Sequence, residues 1–283
     1  MSITTTDIRN VITKEDDFGH EMRVGHVIAN HPMIKVQHGG TYTDSVTQKP
    51  RQFDYRCWIR KENACLALAV ECKNLGSSLP LVVCGRRRPE DEAFHDLIES
   101  RQGTFKRHSA TFAGLSSVTR RVNHDNAYYA SKNFVGKSLV RIQTDKKPMV
   151  RSSDSDVYDK WAQALSSAVE LATSACESAK FFSVSHFYTA VVPIVVVPDD
   201  LLWKVIYEEN GNVSLEPAQV NECELFVGRS IEVSGPKGKP WFQQFTFSHV
   251  HFLTLTGFSS YLSKMIINDH AWNNMFAGNA VEL

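Results

Sequence analysis

The chain lacks the features that announce several common functions. No run reaches the roughly 18 apolar residues of a membrane span, and the opening MSITTTDIRNVITKEDD has neither the basic start nor the apolar stretch of a secretory signal. Both absences point to the cytoplasm. The six cysteines, Cys57, Cys65, Cys72, Cys84, Cys176 and Cys223, contain no CxxC pair and no regular spacing, which argues against a disulfide framework or a zinc knuckle. Several lie in apolar runs, where a reduced cysteine behaves as a small hydrophobe. There is no Gly-x-Ser-x-Gly nucleophile elbow, no internal repeat and no low-complexity linker. Net charge is missing too, since 31 Lys and Arg balance 31 Asp and Glu.

What remains is an ordinary globular composition, 42% apolar and 22% charged over 283 residues, long enough to bury a sizeable core. One elaborated domain over 1–283 is expected. The zero balance conceals an asymmetry: from Arg86 to Arg151 there are fourteen Lys or Arg against seven Asp or Glu. Arg86, Arg87, Arg88, Lys106, Arg107, Arg120 and Arg121 alternate there with Phe105, Phe112, Tyr128, Tyr129 and Phe134, a mixture suited to phosphates and unstacked bases. The competing reading is a solvated region with ordinary counter-charges.

Periodicity predicts an opening helix from Thr13 to about His31, with Phe18, Met22, Val24, Val27 and Ile28 on one face and acids in its first turn. MIKVQHGGTYTD reads as a strand broken at Gly39 and Gly40. RQFDYRCWIRK and ACLALAVECK read as two strands joined by a short polar hairpin, and LPLVVCG as a fourth. Pro89 followed by three acids predicts a helix over PEDEAFHDLIES. Residues 102–150, weakly periodic, read as a long irregular segment. A helix follows over DSDVYDKWAQALSSAVELATSACESA. Then come a strand buried on both faces (YTAVVPIVVV), a turn at Pro198 to Asp200 with a partner strand, two strands in ECELFVGRSIEV and FTFSHVHFLTLT, and a closing helix in GFSSYLSKMIINDHAW.

The stretch CLALAVECKN carries the chemistry. Side chains alternate across a strand, so Glu71 and Lys73 share a face with Ala67 and Ala69, while Leu66, Leu68, Val70 and Cys72 take the other. Charges ending an apolar strand cost desolvation unless the strand opens on a polar site. Asp54, in the neighbouring strand of the hairpin, reaches the same end of the sheet. Phosphodiester hydrolysis needs charge neutralisation and an activated water, which Mg²⁺ or Mn²⁺ supplies when one or two carboxylates hold it. Asp54, Glu71 and the backbone carbonyl of Cys72 are the expected ligands, with Lys73 positioning the water or stabilising charge on the phosphate.

Helix with acid, strand with Asp, hairpin, strand ending Glu-x-Lys: this order resembles the PD-(D/E)xK superfamily of restriction-endonuclease-like nucleases. The detailed likeness runs over roughly residues 15 to 85, and Phe53 stands where the name-giving pattern has proline. Glu21, in FGHEMRVGHVIANH, is similar to the extra helix acid of many members. The resemblance implies an α/β fold with an α-β-β-β-α-β core and a mixed central sheet, extended by further C-terminal strands and helices. The core strands and opening helix would span about 13–88, the basic segment about 89–151, and the long helix and last strands 152–283. It also implies a Mg²⁺-dependent DNA endonuclease, with RNA as the other substrate class, whose basic segment holds the backbone without reading sequence. Paired strand cutting in such enzymes implies a homodimer, for which no interface signature is present. The alternative is an inactive nuclease fold that binds nucleic acid or protein.

Other motifs weigh less. Asp145 and Lys147, with Asp125 upstream, spell a second acid-x-Lys without strand context. SKNFVGKS lacks the first glycine of a phosphate-binding loop and the strand before it. The histidines of HEMRVGH are six apart, too far for one helix face. His249 and His251 are expected as an outward polar row on their strand rather than a metal site, and Cys72 as a packing residue rather than a nucleophile.

Overall fold

The computed structural model describes all residues except 1–2, 16, 45–46, 76–79, 108–109, 124–127, 145–149, 153–154, 235–241, 277–280 and 283. Two helices open it, α1 (Thr5–Glu15) and α2 (Asp17–Ala29), followed by β1 (Lys35–His38), β2 (Thr41–Thr43), β3 (Pro50–Gln52), β4 (Tyr55–Lys61), β5 (Ala64–Cys72) and β6 (Leu81–Arg87). Three long strands come next, β7 (Phe94–Arg107), β8 (Ala110–Asn123) and β9 (Phe134–Thr144), with short β10 (Val150–Ser152). Helices α3 (Ser155–Ala175) and α4 (Ser178–Phe181) lead into β11 (His186–Val197), β12 (Leu202–Ile206), β13 (Ala218–Gln219), β14 (Glu222–Ser234) and β15 (Phe242–Thr254). The described chain ends with α5 (Leu255–Ile267), α6 (Asp269–Met275) and β16 (Val281–Glu282).

The result is an α/β fold built mostly of strands around a mixed sheet. β1, β4 and β5 form an antiparallel meander, and β11 lies parallel to β5 along its whole length, from Ala64 beside Tyr188 to Cys72 beside Val196. The two-residue turn between β4 and β5 places Glu62 at φ 49°, as a tight hairpin requires. On its other edge β11 is shared: β7 pairs antiparallel with His186–Ala190, and β15 pairs parallel with Ile194–Val197. Pro193, with no N–H to donate, sits where the partner changes.

β5 is buried on both faces. Leu66, Leu68, Val70 and Cys72 pack with Val24 and Ile28 of α2 and with Phe258, Tyr261, Leu262 and Met265 of α5. Ala67 and Ala69 face Ala164, Leu165, Ala168 and Leu171 of α3. The small alanines let α3 approach the sheet closely, and the predicted alternation is the one observed. Among the described residues no helix is long and apolar enough to cross a membrane.

Five expectations are corrected. The opening helix is two helices, and its buried row is His20, Val24 and Ile28, with Phe18 and Met22 exposed. His20 replaces Phe18 on that row because its ring, hydrogen-bonded to the Val196 carbonyl at 3.1 Å, ties α2 to the end of β11. PEDEAFHDLIES is a single 3-10 turn, Glu90–Glu92, running into β7. Residues 102–150 are largely the β7–β8 hairpin and β9, and SKNFVGKS runs into β9 rather than a helix. β12 pairs with β6 and β13, not with β11. The closing helix divides at Asn268, whose side chain caps α6 by accepting from the Ala271 N–H. Asp125, Asp145 and Lys147 lie outside the described residues.

Candidate metal centre

The strand and helix ends around Cys72 bring three charged groups together. Asp54, immediately before β4, turns its carboxylate to the end of β5, where Oδ2 accepts the Cys72 N–H at 2.7 Å. Glu71, one residue earlier on β5, projects from the opposite face of that strand toward α3 and is 1% exposed. From α3, Lys160 extends between the two, its Nζ 3.5 Å from Asp54 Oδ2 and 3.5 Å from Glu71 Oε2.

The electrostatics follow from this placement. Burial drives the Glu71 carboxyl well above its ordinary range, and repulsion from Asp54 adds to the effect; Lys160 opposes both. Neither Glu71 oxygen receives a hydrogen bond. Burial alone would lower the Lys160 ammonium, but Asp54 and Glu71 outweigh it and hold the pKa above the usual value. The lysine is therefore charged at neutral pH.

Lys73 does not join this group. Its N–H donates to the Val196 carbonyl at 2.9 Å, and its ammonium pairs with Asp17 at 3.2 Å. The same carboxylate accepts the Asn74 N–H at 2.8 Å, so Asp17, at the start of α2, clasps the chain as it leaves β5. Glu21, one turn further along α2, pairs with His38 of β1 at 2.7 Å, and its backbone carbonyl accepts from Tyr55. Its charge still contributes to raising the Cys72 thiol, though burial is the main cause and Asp54 and Glu71 act more strongly. Cys72 is fully buried, as its packing role required.

Oxygen ligands suit a hard divalent cation. Two carboxylates meet here, one with both oxygens buried and unmatched, and a carbonyl joins them, since the C=O of a strand residue projects to the same edge as its N–H; for Cys72 that is the Asp54 edge. Among the described residues no group of three or more His, Cys, Asp or Glu is placed to hold a metal. The side chains present are two carboxylates, and one or two carboxylates are the number with which Mg²⁺ is commonly held while water and phosphate fill the remaining positions. As oxygen donors, Asp54, Glu71 and the Cys72 carbonyl are of the chemical class that would suit Mg²⁺ or Mn²⁺.

The sequence signals that could have found Lys160 and Asp17 were present. Lys160 begins the row Ala164, Ala168, Leu171 on the buried stripe of α3, an odd place for a lysine without an acid beneath it. In the sequence Asp17 stands simply as a first-turn acid of α2.

The expected phosphate-binding residues are mostly committed elsewhere. Arg88 is buried and bonded to Glu224, and its guanidinium also donates to the Ala130 carbonyl. Arg120 pairs with buried Glu99, and Arg121 holds Asp96 through two hydrogen bonds. Arg86 pairs with Glu92 at 3.3 Å and remains half exposed; Arg87 is exposed. The side chains of Lys106 and Arg107 lie outside the described residues. Acids on neighbouring strands absorb much of the local basic excess, which corrects the picture of a free cationic surface for Arg88, Arg120 and Arg121. His249 and His251 are also corrected: both are buried, His249 stacked on Tyr129 at 4.0 Å and His251 sharing a 2.6 Å hydrogen bond with the Tyr129 hydroxyl. Burial holds His251 down at about 3, so the pair is a neutral aromatic cluster.

Comparison with protein families, with curated proteins and with solved structures finds no match to this chain.

Proposed function

We propose that the chain is a divalent-metal-dependent phosphodiester hydrolase acting on DNA, with Asp54, Glu71 and the Cys72 carbonyl as its metal ligands. The observation that carries this reading is Glu71: a carboxylate 1% exposed, with no hydrogen bond to either oxygen, beside a second carboxylate at one end of the sheet. With Lys160 at 3.5 Å as its counter-charge, the pair still carries one excess negative charge, which a dication would offset. The order α2, then β1, β4 and β5 as an antiparallel meander, then α3, then β11 parallel to β5, is consistent with the α-β-β-β-α-β core of the restriction-endonuclease-like nucleases. On this reading β6 to β10 are an insertion before α3, and β12 to β16 an extension.

The bound ion would supply charge neutralisation on the phosphate and an acidified water. Asp54 and Glu71 fix its place, Asp54 being oriented by the Cys72 N–H. Asp17 holds Lys73 beside the strand end, within the polar edge where a scissile phosphate would lie. Glu21, anchored by His38, contributes negative charge at the same edge.

One observation favours a second reading, a nuclease fold that binds without cutting: Lys73 is engaged with Asp17 instead of the carboxylate pair. A single experiment separates the two. Plasmid, linear duplex and single-stranded DNA, with an RNA strand beside them, are incubated with Mg²⁺ or Mn²⁺ or with EDTA, using wild type, Asp54→Ala and Lys73→Ala. Metal-dependent cleavage lost in Asp54→Ala is the expected result. Retention of nucleic acid on the protein with no cleavage in either metal would establish the binding-only reading.

A further inference from the structure

We infer that Lys160 is a built-in stand-in for the metal ion: its ammonium neutralises Asp54 and Glu71 in the metal-free protein and is displaced when a divalent cation enters. The inference rests on the metal-site reading above and adds a role for a residue that the Glu-x-Lys pattern does not include.

Three features support it. First, among the described residues Lys160 is the one cation within 4 Å of both carboxylates. Arg56, also near this end of the sheet, is held by Ser167 and Glu170, and Lys73 by Asp17, so neither offers its charge to the pair. Second, the contact is loose. At 3.5 Å from each carboxylate the ammonium satisfies neither Glu71 oxygen by hydrogen bonding, whereas settled charge-assisted bonds are about 2.7–2.9 Å. Third, Lys160 has somewhere to go. Its side chain is 20% exposed, and a flexible four-carbon stem lets the ammonium swing toward water while its Cα stays in α3. Charge balance gives the direction. Two carboxylates and one ammonium leave one negative charge, whereas a dication alone cancels the pair, and the lysine then becomes a surplus positive charge repelled by the ion. Displaced from the carboxylates, it is left at the edge where an anionic substrate would approach.

Binding of Mn²⁺ alone, followed by electron paramagnetic resonance and calorimetry in the absence of nucleic acid, tests this directly. Wild type should bind, Glu71→Gln should not, and Lys160→Met should bind at least about tenfold more tightly, because the competitor is gone. Lys160→Arg, which keeps the charge, should stay near wild type. A second readout needs no mutation: the rate at which an amine-acylating reagent modifies Lys160 in wild type, read by peptide mapping, should rise when Mn²⁺ is added. Weaker or unchanged binding in Lys160→Met, or acylation that Mn²⁺ leaves unaltered or slows, overturns the stand-in role. In that case wild-type binding abolished by Glu71→Gln would still uphold the metal site. Absence of Mn²⁺ binding in wild type would overturn both.

Discussion

At the scale of single residues, the structure separates two kinds of buried acid. Glu71 is only partly compensated, by Lys160 at 3.5 Å, and its raised pKa means that its contribution to stability is complete below the unfolded value of 4.5 and is lost as pH rises through the higher folded value. Glu71→Gln, which removes the buried negative charge but keeps a polar side chain, should therefore stabilise the protein in EDTA at neutral pH. The difference from wild type in urea denaturation should shrink as pH falls below 4.5. Glu99 is the opposite case. Burial would raise it, but hydrogen bonds from Arg101, Arg120 and His186 prevail and hold it at about 2. With a folded pKa below the unfolded 4.5, its stabilisation is present above 4.5 and disappears as pH drops toward 2. Glu99→Gln should lower the melting temperature at pH 7 and flatten the acid side of the stability profile, as a pH series of thermal melts would show. Alternation along β5 made the orientation of Glu71 legible from sequence alone. Lys160 was not legible because its partner is set by how α3 lies on the sheet, and no local pattern encodes that crossing.

At the scale of elements, most strands of the central sheet and the helix α3 could be read from periodicity and turn residues, and β7 and β8 could not. The cause lies in particular pairs. His95, Asp96, Glu99 and Ser100 are all buried on β7, with Asp96 and Glu99 neutralised by Arg121 and Arg120 of β8 across the ladder. Polar residues that look like the wet face of a helix are here internal, matched strand to strand. Pro89 and its three acids started a helix that stops after one turn because Phe94, Leu97 and Ile98 are drawn into the core. Register between β6 and β9 depends on a different device. The ladder slips between Cys84 and Gly85, and a Cβ at Gly85 would lie 2.0 Å from the Val135 carbonyl oxygen. Since backbone has to give way there, Gly85→Ala should destabilise the protein by about 1–3 kcal/mol, the range for overpacking. Denaturant unfolding checks it, with Gly103→Ala, which meets nothing within 4 Å, as the control.

At the scale of the whole molecule, the sheet is assembled from segments distant in the chain. The meander β1–β4–β5 is local, yet its parallel neighbour β11 arrives only after β6 to β10 and α3 have been made. Legibility follows the same division. The local meander with Asp54 and Glu71 could be read from sequence, whereas the partners of β11, β12 and β7 are long-range choices made by packing.

That chain order has a consequence for biosynthesis. Asp54 and Glu71 leave the ribosome on one hairpin, and Lys160 follows about a hundred residues later; at typical elongation rates the interval is roughly 5–20 seconds. Throughout it neither α3 nor its lysine has yet been made. On the proposed metal-site reading, a divalent cation present during synthesis would reach the two carboxylates before their internal counter-ion, and Lys160 would arrive to find its place taken.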